Sequence, residues 1–153
     1  MLEKKMYING EWVESLSGEK RAIQNPFDAS EIASVSEGNR EDTQVAIKAA
    51  REAFNGEWGK VARSERKGLL TKLAQLIKRD KEELARLESL NTGKTLEESR
   101  WDRDDIHNIF NYYASLLDKD HSEVVDSPVD NSSSVLEREP VGVCGQISPW
   151  NYP

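Results

Sequence analysis

The chain has 153 residues, 32% of them charged, and its 28 acids against 21 bases leave a net charge of −7. An acidic surface repels phosphate backbones, which argues against nucleic-acid binding, and no apolar run reaches the length of a transmembrane helix. One cysteine forms neither an internal disulfide nor a thiolate metal cluster, and without a basic-then-apolar leader at the N-terminus the expected compartment is the cytoplasm.

Met6 to Val13 is a hairpin signal, because Asn9-Gly10 between two β-prone runs accepts the positive φ angles of a type I′ turn. Asn25-Pro26-Phe27-Asp28 reads as a turn before a second short strand, Glu31 to Ser36. Asn39 then caps a helix from Arg40 to about Phe54, with Asp42 at the capping-box position and Val45, Ala46, Ala49, Ala50 and Ala53 on one face. Ser64 opens a helix with the stripe Leu69, Leu70, Leu73, Leu76 and Ile77. Asp80 and Glu83 form a further cap-like pair, and Leu84, Leu87 and Leu90 carry the stripe to a stop at Gly93. Thr95 and Glu98 make another capping box, for a helix predicted to run to about Lys119.

Residues 126–134 are mostly polar, with Pro128 and four serines, and read as a loop or hairpin tip. Val135 to Glu139 suits an edge strand that Pro140 ends. Val141 to Ile147 reads as a buried apolar strand, delivering Pro149-Trp150-Asn151-Tyr152-Pro153 to its carboxyl end, where open α/β sheets place ligands. Several amphipathic helices then require a sheet that the remaining strands do not supply, which points to a fragment of a larger α/β protein. Among single residues, Trp12 and Trp58 read as core or helix-edge packing and Lys94 as part of a helix–helix connection. His107 reads as a helix-surface residue. Cys144 reads as a small core residue, with no basic neighbour to make it a reactive thiolate.

Taken together, Tyr7-Ile8-Asn9-Gly10-Glu11-Trp12, Asn25-Pro26, the run Leu87 to Thr95, and Arg138-Glu139-Pro140-Val141-Gly142-Val143 leading into Ser148-Pro149-Trp150-Asn151-Tyr152-Pro153 form a specific combination. In these residues the chain resembles the N-terminal part of the NAD(P)-dependent aldehyde dehydrogenase superfamily, and within it the betaine aldehyde dehydrogenases. The resemblance implies an α/β fold, the N-terminal helical part of a Rossmann-like cofactor domain, truncated after the first strand of the dinucleotide-binding sheet. Residues 1–123 would be the hairpin and helices of that domain, 124–140 strands of an oligomerisation domain, and 141–153 the first strand and its corner. The family's nucleophilic cysteine, general-base glutamate and cofactor-positioning lysine would all lie after Pro153.

The same resemblance assigns roles to residues. Asn151 would donate its amide N–H to the oxyanion formed when a cysteine attacks the aldehyde, although a turn asparagine bonding its own backbone is the alternative. Ile147, Ser148, Pro149 and Trp150, with Asn151, would lie along NAD or NADP. Tyr152 would be one wall of an aromatic box for a quaternary ammonium, with simple packing as the alternative. Asp102 and Asp105, beside Trp101 on one side of the last helix, would attract a cationic substrate near its entrance; a solvated acidic face explains them equally. Ile23, Gln24 and Asn91 match potassium-binding positions, although Asn91 stands where many relatives have Asp. The implied parent is a homo-oligomer, dimer or tetramer, that oxidises a small aldehyde, by preference betaine aldehyde to glycine betaine, through a cysteine thiohemiacetal. The chain alone, lacking the nucleophile, would be inactive. A second reading is a non-enzymatic assembly module, or a competitor for full-length relatives; a cooperative thermal transition in the isolated chain separates it from a fragment.

Overall fold

The computed structural model describes residues 2–119 and 122–152, so Pro153, the last residue of the predicted corner, lies outside the described residues. Near the N-terminus the strands are β1 (Leu2–Lys4), β2 (Met6–Ile8), β3 (Glu11–Val13), β4 (Lys20–Gln24) and β5 (Glu31–Ser36). The helices follow as α1 (Arg40–Asn55), the single turn α2 (Glu57–Lys60), α3 (Arg63–Arg79), α4 (Lys81–Thr92) and α5 (Leu96–Leu116). Two short strands, β6 (Glu123–Val125) and β7 (Ser134–Leu136), pair as an antiparallel hairpin. The mixed α/β class expected from the sequence is the one observed.

β2 and β3 form the expected hairpin, with Asn9 at φ 54° and Gly10 at φ 83°, the two positive angles a type I′ turn demands. Across it, Tyr7 faces Trp12 with ring centroids 4.9 Å apart. A three-stranded sheet has β5 at its centre, with β1 parallel on one side and β4 antiparallel on the other. Neither β1 nor β4 is predicted from the sequence; β4 buries no residue fully and alternates poorly, so its strand character comes from pairing with β5.

Both predicted capping boxes are present. Asn39 and Asp42 exchange side-chain-to-backbone hydrogen bonds of 3.0 Å at the start of α1, and Thr95 and Glu98 do the same for α5. Asp42 does more than cap. It accepts the Leu16 N–H at 3.0 Å and the Ser15 hydroxyl at 2.7 Å, tying the loop after β3 to α1. Its carboxyl is held below the usual range, first by the Asn39 N–H, with burial opposing and the Leu16 and Ser15 bonds adding. The cap expected at Asp80 does not form, because its carboxylate is taken by the neighbouring Arg79 at 2.7 Å. Likewise α3 starts at Arg63 with Ala62 in the cap position, so Ser64 caps nothing. Gly93 ends α4 at φ 78°, and a Cβ there would stand 3.0 Å from Pro26, in the turn before β5.

α5 packs along α3 and α4. Among the described residues the fully buried positions at these helix contacts are small: Ala74, Ala85, Ser99 and Ala114. His107 is not a surface residue but a clip between α5 and α3. Its Nδ1 lies 2.7 Å from the Ala74 carbonyl, which can only accept, so Nδ1 carries the proton and Nε2 takes the Asn111 amide at 3.1 Å. The total accessible area of 11947 Å² is about half as large again as the roughly 7,800 Å² expected for a compact monomer of this mass. Much apolar surface is therefore left open. Trp12 is 65% exposed rather than core, whereas Trp58 sits at a helix edge under the Arg66 guanidinium, 4.9 Å from its ring.

Replacing Asp42 by Ala is expected to lower the thermal midpoint by on the order of 5 °C. Since folding depresses the Asp42 pKa, its contribution is present above the unfolded value near 4 and is lost as pH falls through the folded value. Melting curves of wild type and variant should therefore converge in acid; a constant gap would contradict the assignment.

Candidate functional site

Glu88 occupies a stripe position of α4, four residues after Leu84, yet it is a carboxylate with 3% of its side chain exposed. A charge so placed needs cations with good geometry. It has two: Lys94 Nζ at 3.0 Å, from the α4–α5 connection, and Arg103 from α5, which approaches its other oxygen. Lys94 also reaches Asp102 on α5 at 2.5 Å. Burial opposes the Lys94 charge, but hydrogen bonds to Asp102 and Glu88 more than offset it and hold the ammonium above the usual lysine range. The connection between α4 and α5 is thus locked by four charges that cancel.

The Lys94 ammonium lies 3.8 Å from the centroid of the Tyr152 ring, a cation–π contact well inside the usual limit of about 6 Å. Tyr152 borders a cleft of about 340 Å³ whose other walls are Glu88, Asp102, Arg103, Asp105, Ile106 and Ile109. The structure therefore brings together the three residues expected at the substrate end, Tyr152, Asp102 and Asp105. It divides the two acids by task, since Asp102 is partnered by Lys94 and Asp105 makes no ion pair among the described residues.

Pro149 to Tyr152 is a β-turn closed by a 3.0 Å hydrogen bond from the Tyr152 N–H to the Pro149 carbonyl. Trp150 and Asn151 occupy its central positions, and Asn151 is exposed, as is the run from Ile147 to Trp150. The expected buried strand from Val141 to Ile147 is absent: these residues form no strand, Val141 is 96% and Ile147 100% exposed, and Cys144 is exposed rather than core. A strand's amides need neighbours, and none of the described strands pairs with this segment. Its accessible backbone and the flat Trp150 ring, 76% exposed, suit the flank of an extended cofactor.

Ile23 and Asn91 open onto one groove of about 760 Å³ between the three-stranded sheet and α4, but Gln24 is not in its wall. Lys4, Arg21, Arg86 and Arg103 line that groove against the single carboxylate Glu88. Two of these cations are already paired, Arg21 with Glu37 and Arg103 with Glu88. Among the described residues no group of three or more His, Cys, Asp or Glu is placed to hold a metal.

Sequence reasoning missed the roles of Glu88, Lys94 and Arg103. The available signal was Glu88 itself, a carboxylate in the apolar stripe begun by Leu84 and Leu87. Replacing Glu88 by Gln is expected to cost about 3–5 kcal/mol, read as a lower urea midpoint. The Lys94 contribution, with its pKa raised, should hold up to the ordinary lysine value and fade as pH rises through the folded one.

Comparison with known proteins identifies relatives of the chain. The aldehyde dehydrogenase family matches residues 12–153. The betaine aldehyde dehydrogenase of Bacillus subtilis (strain 168) is 56% identical over 153 residues, covering 99% of this chain and 31% of the relative. Aminoaldehyde dehydrogenase 2 of Zea mays is 37% identical over 97% of this chain and 31% of its own length. Among solved structures, a double mutant of Staphylococcus aureus betaine aldehyde dehydrogenase in complex with NAD+ superposes with a TM-score of 0.93 at 52% identity, over 99% of this chain and 30% of that one. The chain thus spans about 30% of the length of the relatives it matches.

Proposed function

The chain belongs to the aldehyde dehydrogenase family, and from that premise we propose that it supplies part of the substrate and cofactor site of an enzyme converting betaine aldehyde to glycine betaine. The observation that carries this reading is the position of Tyr152 at a cleft walled by Asp102 and Asp105, since an aromatic face and carboxylates are what a quaternary ammonium can bind. The 56% identity to the Bacillus subtilis enzyme, against 37% for the maize aminoaldehyde dehydrogenase, supports the same substrate.

Bound NAD(P)+ would accept the hydride, with NAD favoured because the Staphylococcus aureus relative was crystallised with NAD+. The extended run of Ile147, Ser148, Pro149 and Trp150 would offer it backbone groups and a flat surface, without added charge. Asn151 sits at the centre of a turn whose backbone bond is made by its neighbours, and its exposed side-chain amide would donate to an oxyanion. A potassium ion near Ile23, Gln24 and Asn91, held partly through backbone carbonyls, would be a further part of the same proposal. Residues 1–123 would belong to the cofactor domain and 124–140 to an oligomerisation domain. Val124, Val135 and Leu136, all largely exposed on the β6–β7 hairpin, suit burial in a homo-oligomer. No helix among the described residues is long and apolar enough to cross a membrane; a cytoplasmic place of work is part of the proposal. A non-enzymatic assembly module would use the same hairpin but leaves the Tyr152 cleft without a purpose.

The test is NADH formation by the protein purified from its source cells, with betaine aldehyde set against its neutral isostere, in which tert-butyl replaces trimethylammonium. A preference for the cationic aldehyde is expected, and Asn151→Ala should lower kcat about 10²–10³-fold with little change in KM. Equal turnover of the two aldehydes would remove the substrate assignment; an unchanged kcat would remove the role of Asn151.

A further inference from the structure

The Lys94 contact is unusual in what it asks of an ammonium. Two of its three N–H groups are committed to Glu88 and Asp102, and only 17% of the side chain is exposed. Little water remains for the ring of Tyr152 to displace, so the cation–π contact carries a small desolvation penalty. The position of Nζ is fixed by carboxylates on two different helices, so the ring meets a rigid cation. Tyr152 itself is 64% exposed and held otherwise by the turn from Pro149. Without Lys94 nothing else among the described contacts fixes the plane of the ring.

Tyr152 forms part of the cleft wall and Lys94 does not. The same ring thus touches the ammonium and borders the cleft that Asp105 and Ile106 help to line. A bare ammonium against the ring would repel a cationic substrate in the cleft. Here Glu88 and Asp102 balance Lys94 and Arg103, and Asp105 adds a negative charge on the cleft side.

We propose that Lys94 is a positioning residue that determines specificity for cationic aldehydes: its neutralised ammonium seats one face of Tyr152 and so holds the ring against the cleft as a binding wall. The inference rests on Tyr152 being the wall for the substrate's ammonium, as set out above.

The experiment uses the complete product of the gene, with KM and kcat measured for betaine aldehyde and for the tert-butyl isostere. Lys94→Gln is expected to raise KM for betaine aldehyde by about 2–30-fold, the range a lost cation–π contact spans. kcat should stay within about twofold and KM for the neutral isostere should hold, as for a loss of binding rather than of chemistry. Lys94→Arg, which keeps the charge and a cationic face for the ring, should restore the wild-type ratio. In a Tyr152→Leu background, Lys94→Gln should add nothing. If KM rises equally for both aldehydes, or the Lys94→Gln effect persists without the tyrosine ring, Lys94 is only structural and the proposal is overturned. If Tyr152→Leu alone leaves the ratio of the two KM values unmoved, the substrate reading fails first and takes this inference with it. Should Lys94→Gln not fold, Lys94→Gln combined with Asp102→Asn removes one charge of each sign, and its KM ratio against Asp102→Asn alone decides the question by the same criteria.

Discussion

A carboxylate buried in a helix interface must be met by cations or not be charged at all, and Glu88 imposes that condition on everything near it. Lys94 satisfies it from the chain that follows α4, and Arg103 satisfies it from α5, so one buried charge sets both the bend between the two helices and the depth at which they dock. The left-handed Gly93 makes the bend possible by turning the chain against Pro26 within one residue of α4. Asp102 completes the balance and leaves the Lys94 ammonium pointing at Tyr152. The candidate substrate end is thus a by-product of how a buried acid is neutralised.

The parts of the fold legible in the sequence are those determined by neighbours in the chain. The capping boxes at Asn39 and Thr95, the Asn9-Gly10 turn and the stop at Gly93 are each decided within four residues, and all four are found in place. Where distant partners decide, the sequence misleads. Lys20 to Gln24 becomes a strand because β5 offers an edge, and no alternation announces it. Val141 to Ile147 has strand composition and stays irregular, because composition without a pairing edge does not make a strand. Asp80 looks like a cap and is claimed instead by the residue before it.

The site divides along the same line. Tyr152 and the two acids of α5 are conspicuous as residues, but they meet at one cleft beside Lys94, which reads in sequence as an ordinary connection residue. Arg103 is hidden in the same way, fifteen positions from the carboxylate it serves. Spacing along one helix reveals Asp102 beside Asp105; only the fold puts both in the cleft wall and ties Asp102 alone into the charge balance.

The alanines and serine at the helix contacts have a thermodynamic corollary. A folded chain with 11947 Å² already in contact with water, its helices meeting through Ala74, Ala85, Ala114 and Ser99, has less apolar surface left to hydrate on unfolding than a compact domain of equal length. Its heat-capacity step should fall below the roughly 12–15 cal/mol/K per residue of ordinary domains, and its stability should vary with temperature along a shallow curve. The denaturant slope should be shallow for the same reason. Burying the open faces of these helices and of the segment after Pro140 against further protein would restore the curvature, so heat capacity measures how completely this chain is covered by its surroundings.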